Sequence, residues 1–114
     1  MRNFFSFDAA STEYESLKIE LENAEKDLEV AIRNVSAAHE QHDQAWYSYV
    51  RHASPDNYLK FERALDELHS AHEHCTQVRL NYKLAKCKFK KASRIFKRLQ
   101  KREERLNAKQ QRCE

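Results

Sequence analysis

Apolar side chains recur at alternating intervals of three and four residues along nearly the whole chain. Twenty-three positions follow this rule, and we call them the seam positions: Tyr14, Leu17, Leu21, Ala24, Leu28, Ala31, Val35, Ala38, His42, Ala45 and Tyr49, then Phe61, Ala64, Leu68, Ala71, Cys75, Val78, Tyr82, Ala85, Phe89, Ala92, Phe96 and Leu99. A seven-residue repeat of this kind places one stripe of residues along an α-helix and is typical of coiled coils. The pattern therefore predicts an all-α protein made of two long helices.

Capping residues and the only proline mark where these helices begin and end. Thr12 followed by Glu15 is a capping box, and Asp8 is a rival cap one turn earlier. Ser54 can accept hydrogen bonds from free helical amides, and Pro55 suits the first helical position. We predict one domain, residues 1–114, with helix one over about 8–51, a turn over 52–54 and helix two over about 55–108.

The short link requires the two helices to lie side by side and antiparallel. If residue i lies beside roughly residue 108 minus i, the acidic first half of helix one faces the basic second half of helix two, which favours this register. Alanine also occupies one seam position in every heptad, and small residues at that spacing let two helices approach closely. The predicted fold is an antiparallel two-helix coiled-coil hairpin with an alanine-rich, close-packed seam.

Composition limits what such a chain can do. It contains no glycine, so a glycine-rich phosphate loop is excluded, and its mean hydropathy of -0.97 argues against a thick core. No apolar run approaches the ~20 residues of a membrane span, and three cysteines without close pairing suit reduced thiols. We expect a cytoplasmic protein that is not an enzyme and carries no cofactor.

Apolar residues away from the seam favour a second interface. Leu80 and Leu84 lie on the outer face of helix two, and Trp46, Tyr47 and other apolar residues gather near the turn. A two-helix hairpin buries only one stripe per helix and is marginally stable alone. We therefore expect association with another protein, with a homodimeric four-helix assembly as the favoured form.

Basic residues dominate the end of helix two. Lys97, Arg98, Lys101, Arg102 and Arg105 extend toward or past the end of the acidic partner helix. Such a charged stripe can bind an acidic protein or, in a salt-dependent way, nucleic-acid phosphates. We interpret these five residues, with Leu80 and Leu84, as the partner-binding set.

Histidines concentrate in the middle of the predicted hairpin. His39-x-x-His42 and His69-x-x-His72 place pairs of imidazoles on adjacent turns, a spacing that can hold zinc or a similar metal. His42 occupies a seam position, however, and no inward carboxylate completes the pattern. A polar layer that fixes the register is the simpler interpretation, and a metal-binding protein is kept as an alternative.

Three phenylalanines near the N-terminus are predicted to cover one end of the hairpin. By register Phe4, Phe5 and Phe7 lie beside the last apolar positions of helix two. The functional hypothesis is therefore a protein–protein interaction module: an adaptor, a chaperone-like factor or an inhibitor of a larger assembly. The first alternative is a nucleic-acid-associated protein that uses the basic half of helix two.

Overall fold

The computed structural model describes residues 7–113, and both predicted helices are present there. Helix α1 spans Phe7–Arg51 and helix α2 spans Pro55–Cys113. The helices pack against each other as an antiparallel hairpin, and no strand occurs in the described part of the chain. The predicted fold class is confirmed, and α2 extends five residues beyond its predicted end.

The seam forms from the residues that the heptad pattern selects. All 23 seam positions are buried or half-buried. Ala31 is only 1% exposed, and Ala38, Ala64, Ala85 and Ala92 are also buried. An alanine side chain ends at Cβ, so its burial requires the facing helix to come close. The alanine-rich seam is therefore confirmed.

The turn between the helices is built by hydrogen bonds from residues 48–58. The Ser54 hydroxyl accepts a bond from the Asn57 amide at 3.1 Å, so Ser54 caps α2 as predicted. The Asn57 side chain donates to the His52 carbonyl at 2.8 Å and to the Ser48 carbonyl at 3.4 Å. The Ser48 and His52 carbonyls also accept backbone amides at 2.9 Å, so Asn57 adds a second hydrogen bond to each and ties the start of α2 to the end of α1.

The start of α1 differs from both predicted caps, because α1 already includes Phe7, which precedes Asp8 and Thr12. Thr12 lies inside the helix, and its hydroxyl donates to the Asp8 carbonyl four residues earlier at 3.0 Å. A threonine already in helical conformation cannot cap the helix, so the Thr12–Glu15 capping box is wrong. Asp8 instead lies in the first turn, where a carboxylate is favourable.

Backbone proximity divides the hairpin into two compact units. Among the described residues, the terminal unit comprises residues 7–23 and 83–113, and the turn unit comprises residues 24–82. In the terminal unit, Phe96 stacks on Tyr14 at a ring distance of 4.6 Å and on Phe7 at 5.5 Å. The predicted covering by Phe7 is confirmed, while Phe4 and Phe5 lie outside the described residues.

The turn unit contains a small core around Ala31. Ala31, Cys75 and Val78 are buried together, and Leu28 and Val35 pack against them. Cys75 has a free thiol that fills space between the helices. This packing fixes which flanks of α1 and α2 lie side by side, and those flanks carry the candidate site.

Candidate functional site

Exposed apolar side chains are concentrated at the turn end of the hairpin. The tip surface consists of five such residues, with exposures of 46–64%: Trp46, Tyr47, Val50, Tyr58 and Leu59. Twelve large apolar residues are exposed among those described, so five within 14 residues is a local enrichment. Residues that cluster in this way, unlike single exposed apolar residues, indicate an interaction site.

Ring contacts hold part of the tip surface in place. Trp46 contacts Phe61 at a ring distance of 5.3 Å, and Tyr58 contacts Tyr49 at 5.7 Å. Tyr49 and Phe61 are half-buried seam residues, so they anchor the exposed rings to the hairpin. The tip therefore presents pre-positioned aromatic side chains, which bind at low entropic cost.

The phenol of Tyr58 also interacts with a neighbouring carboxylate. It hydrogen-bonds the Glu62 carboxylate one turn further along α2, and this bond, together with the negative charge, raises the pKa of Tyr58 above 10.0. The neutral phenol remains the donor at physiological pH. One edge of the tip surface is thus polar, as is common for interface tyrosines.

The two flanks of the turn unit differ in chemistry. One flank, which we call the aromatic–histidine flank, carries Ile32, His39 and Trp46 at seven-residue spacing on α1, and Tyr58, Leu65 and His72 at the same spacing on α2. The other flank forms an open depression of about 320 Å³ lined mainly by polar residues: Gln41, Gln44, Ala45, Ser48, Lys60, Arg63, Ala64 and Glu67. Polar side chains therefore dominate one flank of the turn unit, and aromatic and histidine side chains dominate the other.

Two imidazoles meet on the aromatic–histidine flank. The Nε2 atoms of His39 and His72 lie 3.2 Å apart, and the two rings are nearly perpendicular at 84°. His42 is half-buried in the seam against Phe61, and its Nδ1 lies 3.4 Å from Asp43 Oδ1. The predicted histidine layer is thus one exposed pair and one seam histidine.

The two histidines in contact, His39 and His72, come from different helices, whereas the spacing along each helix suggested pairs within one helix. His69 is exposed, as its heptad position predicted, and His74 is exposed as well. Among residues 7–113 no group of three His, Cys, Asp or Glu side chains is arranged to hold a metal ion. Any metal would therefore depend on the two contacting imidazoles.

The predicted partner-binding residues are all exposed but do not form one cluster. Leu80 and Leu84 are 51% and 56% exposed and belong to different compact units. In the terminal unit, a depression of about 450 Å³ is lined by Arg98, Leu99, Lys101, Arg102 and Arg105. Lys97 is exposed and is not part of that lining.

The helical geometry of α2 reveals a longer row of cations in the terminal unit. The basic stripe comprises seven exposed residues that alternate at intervals of three, four or seven: Lys88, Lys91, Arg98, Arg102, Arg105, Lys109 and Arg112. These intervals place the seven side chains on one face of α2, over a length of roughly 36 Å at 1.5 Å per residue. No stripe residue has a carboxylate within ion-pair distance in the described part of the chain. The stripe is thus a positive surface whose side chains make no direct ion pair with the described residues.

Sequence reasoning grouped Trp46 and Tyr47 with the off-seam apolar residues that favour a second interface, but it did not include them in the partner-binding set. The available signal was the pair Trp46-Tyr47 at non-seam positions, which ends eight residues before the only proline. Comparison of the chain with protein-family models, curated proteins and solved structures found no match. Neither described helix contains a stretch long and apolar enough to cross a membrane.

Proposed function

We propose that this protein is a non-enzymatic protein–protein interaction module that binds another protein through its tip surface. The observation that carries the proposal is the concentration of exposed aromatic and aliphatic side chains at the turn. Tryptophan and tyrosine are the residue types most enriched among interface hot spots. The tip residues lie outside the seam and remain exposed, so their side chains are available to contact a partner.

The charge around the tip favours a protein partner over a polyanion. Arg51 and Lys60 are offset by Asp56 and Glu62, so the surface has little net charge. Recognition there rests on apolar contact, which requires a partner with an apolar pocket or groove.

The tip surface alone is too small to form a standard protein–protein interface. Aromatic side chains bury about 150–250 Å² each, and those of the tip are already partly covered. The five residues together therefore supply less than the ~800 Å² per partner of a standard interface. The tip is best suited to act as the centre of a larger interface that a concave partner completes.

A pair of double variants tests this proposal. Tyr47→Ala with Leu59→Ala alters the tip, and Ile19→Ala with Val30→Ala is the matched control on exposed apolar residues of α1 outside the tip. Affinity capture from the native cell, followed by titration of the purified partner, should show binding weakened at least tenfold by the tip variant alone. Equal loss in both variants, or loss in the control only, would contradict the proposal.

Homodimerisation and a cytoplasmic location are further proposals. Exposed apolar residues outside the tip support self-association, and light scattering over a concentration series tests it, since a constant monomer mass contradicts it. The free thiols of Cys75 and Cys87 support a reducing compartment. Fluorescence imaging of a tagged chain tests the location.

The basic stripe favours a second candidate function, binding of nucleic-acid phosphates. Four of its seven cations are arginines, whose planar guanidinium matches phosphate geometry. The apolar face of α2 is already covered by α1, so the stripe lacks the exposed apolar face that an interfacial membrane helix needs. A linear row of cations of this length, free of direct ion pairs among the described residues, fits a nucleic-acid backbone.

A salt series with duplex DNA tests the second candidate. Each neutralised phosphate contributes about 0.9 to the slope of log K against log salt. Arg98→Gln with Arg105→Gln should lower that slope by roughly two, whereas Lys18→Gln with Lys26→Gln on α1 should leave it nearly unchanged. Absence of binding at low ionic strength, or equal effects of both pairs, would exclude this function.

A further inference from the structure

We propose that His39 and His72 form a binding site for one divalent transition-metal ion, with zinc as the best-suited metal. The two residues project from different helices of the turn unit and meet through their Nε2 atoms. Imidazole nitrogen is a common zinc ligand, and water can occupy a coordination position that the protein leaves open. The site is independent of the proposed protein and nucleic-acid surfaces.

The distance between the two nitrogens fits a shared ion. Zinc binds imidazole nitrogen at about 2.0–2.1 Å, so two ligands of one tetrahedral zinc lie about 3.3–3.4 Å apart. The Nε2 atoms of His39 and His72 are 3.2 Å apart, and their rings are nearly perpendicular. The separation of the two nitrogens therefore matches a shared zinc ion, which both rings bind once they turn so that their lone pairs point toward it.

Access and surroundings also suit a metal ion. Both imidazoles are exposed, so an ion reaches them from solvent and water completes its coordination. Asp43 lies one turn beyond His39 on α1, and its carboxylate contributes favourable negative charge nearby. Because no third side chain is arranged as a ligand among the described residues, we expect modest, reversible binding.

Without metal, the same contact is a hydrogen bond between two neutral imidazoles. One ring donates its Nε2 proton and the other accepts at Nε2, so the rings hold opposite tautomers. Zinc binding requires both Nε2 lone pairs, and the donor ring must therefore move its proton to Nδ1. Each ring then carries its proton on Nδ1, and both Nε2 atoms bind the metal.

Metal binding would join α1 to α2 within the turn unit. A ligand that binds only the folded chain stabilises it in proportion to the logarithm of its concentration over Kd. At a zinc concentration 100-fold above Kd, the melting temperature should rise on the order of 10 °C. Cysteine is the main competing ligand, so the experiment has to separate thiol sites from the histidine pair.

The test uses the full chain without a purification tag and with Cys87→Ser and Cys113→Ser, titrated with zinc by calorimetry and followed by thermal melts. We expect one zinc per chain and a rise in melting temperature. His39→Ala and His72→Ala should each abolish both effects, whereas His69→Ala and His74→Ala, which remove exposed histidines on α2, should retain them. With zinc bound, nitrogen-15 NMR should show the rings of both His39 and His72 as Nδ1–H tautomers.

Several results would overturn the proposal. Failure of zinc to bind, or binding that survives His39→Ala and His72→Ala, would assign the contact to a hydrogen bond alone. Binding that disappears with the cysteine substitutions would assign the metal to a thiol site. One zinc per two chains with a doubled mass would replace the intramolecular site by an intermolecular one.

Discussion

Ala31 shows how much packing depends on a single methyl group. It is 1% exposed and lies between the larger side chains Leu28 and Val35 of its own helix and Cys75 and Val78 of α2. The facing backbone approaches at this position because no longer side chain keeps it away. The alanine therefore sets the local distance between the helices.

Ala31→Leu should destabilise the hairpin by about 1–3 kcal/mol, because three extra carbon atoms overpack a close seam. Ala37→Leu is the matched control at an exposed position of the same helix, and its effect should stay within about 0.5 kcal/mol. Urea unfolding followed by circular dichroism measures both. A neutral Ala31→Leu would show that the seam has spare room.

Tyr58 and Glu62 give a prediction at alkaline pH. The raised pKa of Tyr58 means that the neutral phenol is favoured in the folded chain. Its stabilising bond is fully present below pH 10.0, the pKa of an ordinary tyrosine, and is lost as the pH rises through the raised value. Glu62→Gln should lower the pKa of Tyr58, because it removes the negative charge.

Absorbance at tyrosinate wavelengths across an alkaline titration measures this pKa, with Tyr58→Phe subtracted to isolate the one residue. Glu73→Gln is the matched control, since Glu73 lies more than three turns away on the same helix. An unchanged Tyr58 titration in Glu62→Gln would contradict the assigned contact.

At the scale of elements, the turn depends on an asparagine as much as on the proline. Asn57→Ala removes two side-chain bonds to carbonyls at the end of α1 and should cost about 1 kcal/mol of unfolding free energy. Asn34→Ala, at an exposed position in the middle of α1, should be neutral or slightly stabilising because alanine favours helix. Thermal melts compare them, and equal effects would show that the turn gains nothing from Asn57.

The helices and the seam could be predicted because their cause is local and repeated. The heptad pattern indicates which face of each helix is apolar, and Pro55, the only proline, marks the one place where the chain is expected to reverse. The register followed from charge, and it agrees with the contacts of Tyr14, which pairs with residues on either side of the expected position. Periodicity thus supplied the fold before any contact was known.

The candidate site was harder to predict from the sequence than the fold, because flank positions depend on contacts between helices. His39 and His72 meet although neither lies on the seam, and spacing within one helix suggested other pairs. Thr12 has the sequence of a cap, but a helix that begins at Phe7 makes that role impossible. Flank contacts and helix starts both require the register and the ends to be known first.

At the scale of the whole chain, charge is separated along the sequence. Thirteen lysines and arginines and only two glutamates lie between residues 83 and 112, while the net charge of the chain is only +3. The rest of the molecule is therefore acidic overall. In the terminal unit, Glu13, Glu15, Glu20 and Glu22 of α1 share the unit with basic residues of α2, and all four are exposed.

This separation predicts that added salt will weaken the terminal unit. Attraction between exposed charges is screened over about 10 Å at 0.1 M salt, and each exposed pair contributes about 0–1 kcal/mol. The melting temperature should therefore fall by a few degrees between roughly 10 mM and 0.5 M sodium chloride. Glu13→Gln with Glu20→Gln should lower the melting temperature at low salt and reduce its salt dependence, because this variant lacks the attraction that salt would otherwise screen.

Glu67→Gln with Glu73→Gln in the turn unit is the matched control and should retain the full salt dependence. A melting temperature that rises steadily with salt would mean that repulsion among the α2 cations outweighs their attraction to α1.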